Sequence, residues 1–364
     1  MRLKRKAQLR CPAGNLRAVK EALASGADAV YIGFESPTNL RHFKGLNLSY
    51  DEARLAVKYA HDMGRELYVV INSYPQKEEV GSAFRAIDDA VDLGVDAVIV
   101  SDISNMEYIH NNHPQLPIHL SVQTGSANPE TVNFLAENFG VNCVVLPRVL
   151  TVDEVAYIVA NTTVEIEVFA LGSLCTSYPG RCSLSQYLTG ESTNTRGVCT
   201  SPKFMDFKKN QDDSVTVLLN GVALNKVQPA GSVCDCAGHN GAEVVQNQGT
   251  DGWKNSFIVN KRHVCKGMFV NDTFGTREYA LHDCVILNTL PILGKLIQAG
   301  VGALKVEGRQ RPSVYSSEAA RIMREAIDLY YAQPEKYEVK EEWNEVISSM
   351  FPEMASSTGP YLAR

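Results

Sequence analysis

The feature that most constrains the fold is a unit repeated four times: an amphipathic helix, a glycine turn, then a short apolar run. A glycine after the last helical turn is typical of a left-handed C-cap, which ends the helix. The continuous apolar run that follows fits a strand buried on both faces, as in a parallel sheet. Helices alternating with such strands predict βα units. The four segments cover residues 16–33, 84–101, 132–148 and 290–309.

Filling the gaps between these units gives eight predicted strands, and a helix over residues 314–330 is predicted to close the last unit. Eight parallel strands are the number that closes a (β/α)₈ barrel of the TIM type. A doubly wound open α/β sheet is the alternative, because a strand count cannot show closure. The predicted strands cover residues 8–11, 29–32, 67–72, 97–101, 118–122, 143–146, 164–169 and 303–307.

One connection is much longer than the others. More than 130 residues separate the seventh and eighth predicted strands, and residues 172–282 hold six of the nine cysteines. A loop that leaves a barrel strand at its C-terminal end lies on the face where TIM barrels build active sites, so we expect a cysteine-rich insertion over the barrel mouth. The predicted division is 7–172 for strands one to seven, 173–282 for the insertion, 283–332 for the last βα unit and 333–364 for a C-terminal extension.

Composition and charge indicate the cellular compartment and the binding partners to expect. The basic residues 1–6 run on without an apolar stretch, and no window of eighteen residues is wholly apolar, so neither a signal peptide nor a membrane span is expected. The cytoplasm is the predicted compartment, and thiols stay reduced there. The formal net charge of −6 argues against broad binding to nucleic acid, which needs a basic surface.

Three cysteines, Cys175, Cys182 and Cys199, follow the seventh predicted strand within 25 residues. Thiolates bind zinc and iron–sulfur clusters, and the gap between the first two is longer than in a structural zinc knuckle. The spacing favours a cluster, with a zinc site or three unrelated buried thiols as alternatives. A peptidase has little support, because the chain has no His-Glu-x-x-His and no Gly-x-Ser-x-Gly motif.

Two motifs around these cysteines, residues 167–175 and 180–185, resemble the signature of the collagenase-like peptidase family U32. Other motifs are similar to the branch of that family with O₂-independent ubiquinone biosynthesis proteins of the UbiU type, over residues 8 to 332. These further motifs are residues 11–15, 38–43, 45–47, 146–150, 187–192, 265–267 and 305–311.

The resemblance implies an O₂-independent hydroxylase with a [4Fe–4S] cluster, acting on the aromatic ring of ubiquinone precursors with prephenate as the oxygen source. It also implies a heterodimer with a UbiV-like protein and a lipid-binding accessory protein of the UbiT type. Hydroxylation of rRNA or tRNA, as in other branches of the family, is the alternative, and a peptidase is the third. The net charge and the motif at 187–192 make a nucleic-acid partner unexpected.

Carried over from the same resemblance, the cluster has four cysteine ligands. They are Cys175, Cys182, Cys199 and Cys265, with Cys284 as the alternative for the fourth, because it follows an aspartate as in the RNA-hydroxylating relatives.

The stretch between the third and fourth ligands is longer than in UbiU-type sequences and carries a Cys-x-Cys-x-x-His run. That run either binds a second metal or is an insertion loop with incidental thiols, and the second interpretation is favoured. Its members are Cys234, Cys236 and His239.

Residues at the C-terminal ends of barrel strands point into the mouth. The catalytic candidates chosen on this ground are Asn72 and Gln123, together with His42 on the loop after the second strand. A histidine can donate a proton near neutral pH, although a lone loop histidine is more often structural. Asp102 and Glu307 are expected at the same rim.

Several arginines are expected at the mouth, and guanidinium groups bind carboxylates in bidentate fashion. The substrate-binding candidates for a dicarboxylate such as prephenate are therefore Arg41, Arg148 and Arg309. For Arg309 the alternative is an ion pair with nearby Glu307. Cys143, inside the sixth predicted strand, is interpreted as a packing residue.

Overall fold

The computed structural model describes residues 6–42, 46–175, 285–351 and 354–362, residues 177, 180–183, 186, 192 and 194, and the backbone of seven strands between 205 and 279. The described residues form two sheets. The strands are β1 (Gln8–Pro12), β2 (Ala29–Ile32), β3 (Glu66–Ile71), β4 (Ala97–Val100), β5 (Ile118–Leu120), β6 (Val141–Val145), β7 (Glu165–Ser173), β8 (Met205–Lys209), β9 (Val215–Leu219), β10 (Val222–Gln228), β11 (Ala242–Gln248), β12 (Lys254–Asn260), β13 (Met268–Asn271), β14 (Thr276–Tyr279), β15 (Val285–Asn288), β16 (Ala303–Val306) and β17 (Ala355–Ser357).

Eight parallel strands close into a barrel. Each strand from β1 to β6 pairs in parallel with the next, and β16 pairs in parallel with both β7 and β1. The ring of hydrogen bonds is therefore complete, which confirms the predicted (β/α)₈ barrel and excludes the open doubly wound sheet. All eight predicted strands are present, with ends that differ by a few residues.

The barrel helices begin and end where the sequence places caps. Ser49 and Glu52 form a capping box at the start of the second helix, and Thr151 and Glu154 do the same at the sixth. Gly94 ends the third helix in the left-handed conformation, with φ 72°. The helices are α1 (Leu16–Ala24), α2 (Tyr50–Asp62), α3 (Val80–Leu93), α4 (Ile103–Asn112), α5 (Pro129–Phe139), α6 (Val152–Ala160), α7 (Leu293–Gln298), α8 (Ser313–Ala332) and α9 (Glu341–Met350), with 3₁₀ turns at Val122–Thr124, Leu290–Ile292, Pro334–Lys336 and Gly359–Leu362.

Two strands that extend the barrel sheet were not predicted, and neither were the strands of the second sheet. β15 pairs antiparallel with the end of β7, and β17 pairs in parallel with β15. The C-terminal segment is anchored there, since Trp343, Phe351 and Tyr361 are buried and the Tyr361 hydroxyl donates to the carbonyl of Phe169 at 3.0 Å. The C-terminal residues therefore pack beside the end of β7.

Within the predicted insertion, strands β8 to β14 form an antiparallel sheet in which each strand pairs with the next. The proposed division of the chain into segments remains a prediction. Among the described residues, no helix combines the length and the apolar character needed to cross a bilayer.

Candidate active site at the barrel mouth

Three adjacent strands end in polar residues at the same level of the barrel. Ile71, Val100 and Leu120 lie side by side in the registers of β3, β4 and β5. The next residues, Asn72, Ser101 and Ser121, form one row at the C-terminal edge, here called the neutral row. Within it, the side-chain amide of Asn72 donates to the Ser121 hydroxyl at 3.3 Å and its oxygen accepts from the backbone of the loop after β2. The barrel thus places the predicted residue Asn72 at the mouth.

Arg148, which follows β6 beside β5, is held by two neighbours. Its guanidinium pairs with Glu307 and lies 3.6 Å from the centre of the Phe169 ring. Glu307 is therefore the partner of Arg148 and not of Arg309. The Nε of Arg148 is buried and has no hydrogen-bond partner among the described residues. Arg148 lines the mouth with its charge already neutralised.

Arg309 is buried, and the side chains that accept its hydrogen bonds are neutral. Its guanidinium donates to the side-chain oxygens of Asn39 at 2.9 Å and Asn47 at 3.3 Å. Gly33 leaves it room, because a Cβ there would lie 2.3 Å from Nη1. Burial, together with the nearby charge of Arg41, lowers the pKa of Arg309 to about 10. No described carboxylate pairs with this arginine, so its charge is free to attract an anion.

The remaining predicted mouth residues are less enclosed. His42 is exposed and Arg41 is half-buried, both on the loop after β2. Gln123 is half-buried in the 3₁₀ turn after β5, and its carbonyl accepts from the Tyr74 hydroxyl at 3.3 Å. Asp102 caps α4 by accepting from the Ser104 backbone at 2.9 Å. Burial raises the pKa of Tyr74, so its hydroxyl stays protonated as a donor.

The first two predicted cluster ligands follow β7. Cys175 and Cys182 are both half-buried. Between them, Gly180 approaches the carbonyl of Gln123 so closely that a Cβ would lie 2.9 Å from it. Asn194 accepts from the Tyr74 backbone at 2.9 Å and donates to the Gly180 carbonyl at 2.8 Å. The described part of this thiol-bearing segment therefore contacts the mouth beside β3 and β5.

The other candidate metal ligands lie outside the described residues. They are Cys199, Cys265, Cys284, Cys234, Cys236 and His239.

A charged cluster inside the barrel was missed by the sequence reasoning. Glu167 is fully buried and pairs with both Arg10 and Lys305, while Arg10 also pairs with Glu165. Burial alone would raise the pKa of Glu167, but Lys305 and Arg10 outweigh it and lower the pKa to about 2. The sequence carried one signal for this cluster. Side chains alternate between the two faces of a strand, so Arg10, Glu167 and Lys305 could have been assigned to the barrel interior from their positions in β1, β7 and β16.

His119 and Cys143 complete this cluster. Their ligand atoms and that of Glu167 lie within 4.8 Å of one another, so the three could hold a metal ion. Arg10 already donates to both Glu167 and the Cys143 sulfur, the latter at 3.1 Å. A cation is thus present at the carboxylate, and Cys143 is part of a polar network in addition to the packing role predicted for it.

The histidine of this cluster should make stability depend on pH. Burial lowers the pKa of His119 to about 3, against an ordinary value of 6.5. Between these values the unfolded chain binds a proton that the folded chain does not, so stability falls as the pH falls. The slope contributed is about 1.4 kcal/mol per pH unit. Denaturant unfolding between pH 6 and pH 5 should therefore show a shallower loss for His119→Phe than for the wild type. Equal slopes would contradict the assignment.

A model of peptidase family U32 matches residues 14–362. The chain is 30% identical over 329 residues to the tRNA hydroxylation protein P of Haemophilus influenzae, covering 89% of this chain and 68% of that protein. It is 30% identical over 327 residues to the protein of the same name from Escherichia coli, with the same coverage.

A third relative is shared over a shorter stretch. The 23S rRNA 5-hydroxycytidine C2501 synthase of Escherichia coli is 34% identical over 210 residues, which is 58% of this chain and 31% of that protein.

Proposed function

Since the chain belongs to peptidase family U32, we propose that it is a hydroxylase that acts on a nucleobase of RNA. The relatives named for tRNA hydroxylation and for an rRNA hydroxycytidine synthase support this substrate class over the ring of a ubiquinone precursor. The observation that carries the proposal is the two-sided mouth. Arg309 offers a buried charge without a described carboxylate, and the neutral row offers hydrogen bonds to an uncharged ring.

The arginine side of the mouth suits an anionic co-substrate. Arg309 keeps its charge at neutral pH, and Arg41 stands close enough to influence it. Two guanidinium groups match a dicarboxylate, for which prephenate is the candidate oxygen donor. Arg148 has a narrower role in this proposal, because it already binds Glu307 and forms a wall with Phe169. In this proposal the C–O bond of prephenate breaks and prephenate loses hydroxide and CO₂ to leave phenylpyruvate, with no change in electron count. The hydroxide oxygen bonds to the ring carbon, which gives up its hydrogen as a proton and two electrons, and an electron-carrier protein accepts the electrons.

A [4Fe–4S] cluster fits the donor set on the described side of the mouth. Cys175 and Cys182 are soft sulfur ligands in a segment that contacts the mouth, and Cys199 and Cys265 would complete the set, with Cys284 as the alternative. When bound, such a cluster supplies electron transfer. The chain's own residues then bind and orient the two substrates, and Tyr74 and Gln123 join the mouth to the segment that carries the thiols.

This proposal departs from two expectations of the sequence. A net charge of −6 made nucleic acid unexpected, but one RNA base enters a barrel through a local site and does not require a basic chain overall. Hydroxylation of ubiquinone precursors, with UbiV-like and UbiT-type partners, stays the second candidate on the motifs at 38–43 and 187–192 alone. O₂ independence and a cytoplasmic location belong to the proposal in both cases.

The direct test is the RNA of cells that lack this protein. Digested RNA from a deletion strain should lack a hydroxylated nucleoside that the wild-type gene restores, measured by mass spectrometry. The Arg309→Met variant should restore about tenfold to hundredfold less at limiting expression, because a charge-assisted contact to the co-substrate is lost. Unchanged nucleosides in the deletion strain would contradict RNA hydroxylation.

Two glycine variants make the test specific. Gly33→Ala should behave like Arg309→Met, since the new Cβ would displace the guanidinium. Gly81→Ala is the matched control, because its Cβ would meet its nearest neighbour at 3.5 Å. Equal activity of the Gly33 and Gly81 variants would remove Arg309 from the site.

A further inference from the structure

One residue of the neutral row, Ser101, has a hydroxyl that forms no hydrogen bond with the described residues. Ser101 follows β4, in which Ala97 and Ile99 lie in the interior cluster with Tyr31 and Tyr68. Successive inward positions along a strand are two residues apart, so Ser101 continues the inward series at the mouth. It is 2% exposed, and its hydroxyl has no hydrogen-bond partner among the described residues. A buried hydroxyl without a partner is costly and points to a bound molecule.

The neighbours of Ser101 have spare hydrogen-bonding capacity of one kind. The Ser121 oxygen accepts from the Asn72 amide at 3.3 Å and from the Gln123 backbone at 3.4 Å. A hydroxyl that accepts twice still has its hydrogen to donate. The row therefore presents two hydroxyl donors, those of Ser101 and Ser121, at adjacent strand ends.

The three members of the row carry no charge themselves. Of the charged groups nearby, Arg148 is paired with Glu307, Asp102 is engaged in capping α4, and Arg309 donates to Asn39. Hydroxyl and amide groups without a net charge favour a neutral, flat group with its own acceptors over a carboxylate or phosphate. The ring of a pyrimidine base has this character, because uracil offers carbonyl acceptors and cytosine offers a carbonyl and the ring nitrogen N3.

We propose that Ser101, with Ser121 and Asn72, is the subsite that binds the polar edge of the pyrimidine ring to be hydroxylated. The inference rests on the proposed function and adds to it the residues that select the ring. Serine hydroxyls rotate to donate or accept, so this subsite admits both uracil and cytosine and rejects rings without polar atoms at that edge.

The test separates binding from stability. Titration of uridine and of cytidine, followed by saturation-transfer NMR, should give weak binding to the full-length wild-type protein and about tenfold weaker binding to Ser101→Ala. The thermal midpoint of the ligand-free Ser101→Ala protein should stay equal or rise, because the variant removes a polar group that has no partner. A structural role of Ser101 would instead lower that midpoint.

The matched control is Ser126→Ala. Ser126 is 1% exposed and its hydroxyl already has Thr124 as a partner at 3.1 Å, so its loss should leave nucleoside binding unchanged. The subsite is overturned if the wild type binds neither nucleoside, or if Ser101→Ala binds them as the wild type does. A different result would contradict the proposed function. In that case RNA from the deletion strain would keep all of its hydroxylated nucleosides, even though the protein binds free nucleosides.

Discussion

The Glu167→Gln variant is expected to lose about 3–5 kcal/mol of unfolding free energy, as when one partner of a buried ion pair is removed. The side chain of Glu167 is fully buried, and Lys305, itself 8% exposed, has no other ion-pair partner among the described residues. Glutamine keeps the size of the side chain, so the loss reports the charge and not a cavity. Denaturant unfolding monitored by circular dichroism measures it.

Glu165→Gln is the matched control on the same strand. Its carboxylate also pairs with Arg10, but the side chain is 30% exposed, so water can replace it. The expected loss is below about 1 kcal/mol. The double variant Glu167→Gln with Lys305→Met should recover part of the larger loss, because it also removes the cation left without a partner. A loss below about 1 kcal/mol for both glutamine variants would show that the buried charge of Glu167 does not hold the barrel.

The closure of the barrel was predictable because it follows from local patterns. Helices that end at a glycine, such as α3 at Gly94, and strands that read as unbroken apolar runs need only short-range information. β15 and β17 escaped prediction for the opposite reason. They have four and three residues and depend on pairing with distant parts of the chain, β15 with β7 and β17 with β15, which no local period encodes.

The same difference between local patterns and long-range contacts applies to the residues of the site. Asn72, Arg148 and Arg309 lie at the ends of parallel strands, whose side chains share one face, while their roles in binding or catalysis stay predictions. The partner of Arg309 was beyond the sequence. Residues 307 and 309 would share one face of an extended strand, but Gly308 adopts φ 145° and turns the chain, so Arg309 meets Asn39 and Asn47 instead. The sequence shows which residues of these strands are charged, but it does not show their ion pairs, because the partners lie on three different strands.

The second large effect is expected at the thiols. Protein purified without oxygen should be brown and contain about four irons and four sulfides per chain, and Cys182→Ala should lose both colour and iron. Cys143→Ala is the control, because Cys143 is buried inside β6 and hydrogen-bonds with Arg10, away from the segment that follows β7. Visible absorbance with iron and sulfide analysis measures the effect.

The same measurement decides the fourth ligand, because thiolate ligation makes the cluster depend on each cysteine that binds it. Loss of iron in Cys265→Ala, with iron retained in Cys284→Ala, is the expected pattern, and the reverse pattern would make Cys284 the ligand. A colourless wild type with one bound zinc would contradict the cluster altogether. In that case Cys175 and Cys182 would hold the segment against Gln123 and Tyr74 as a structural zinc site, and the mouth would retain its anion and ring subsites without an electron-transfer group beside them.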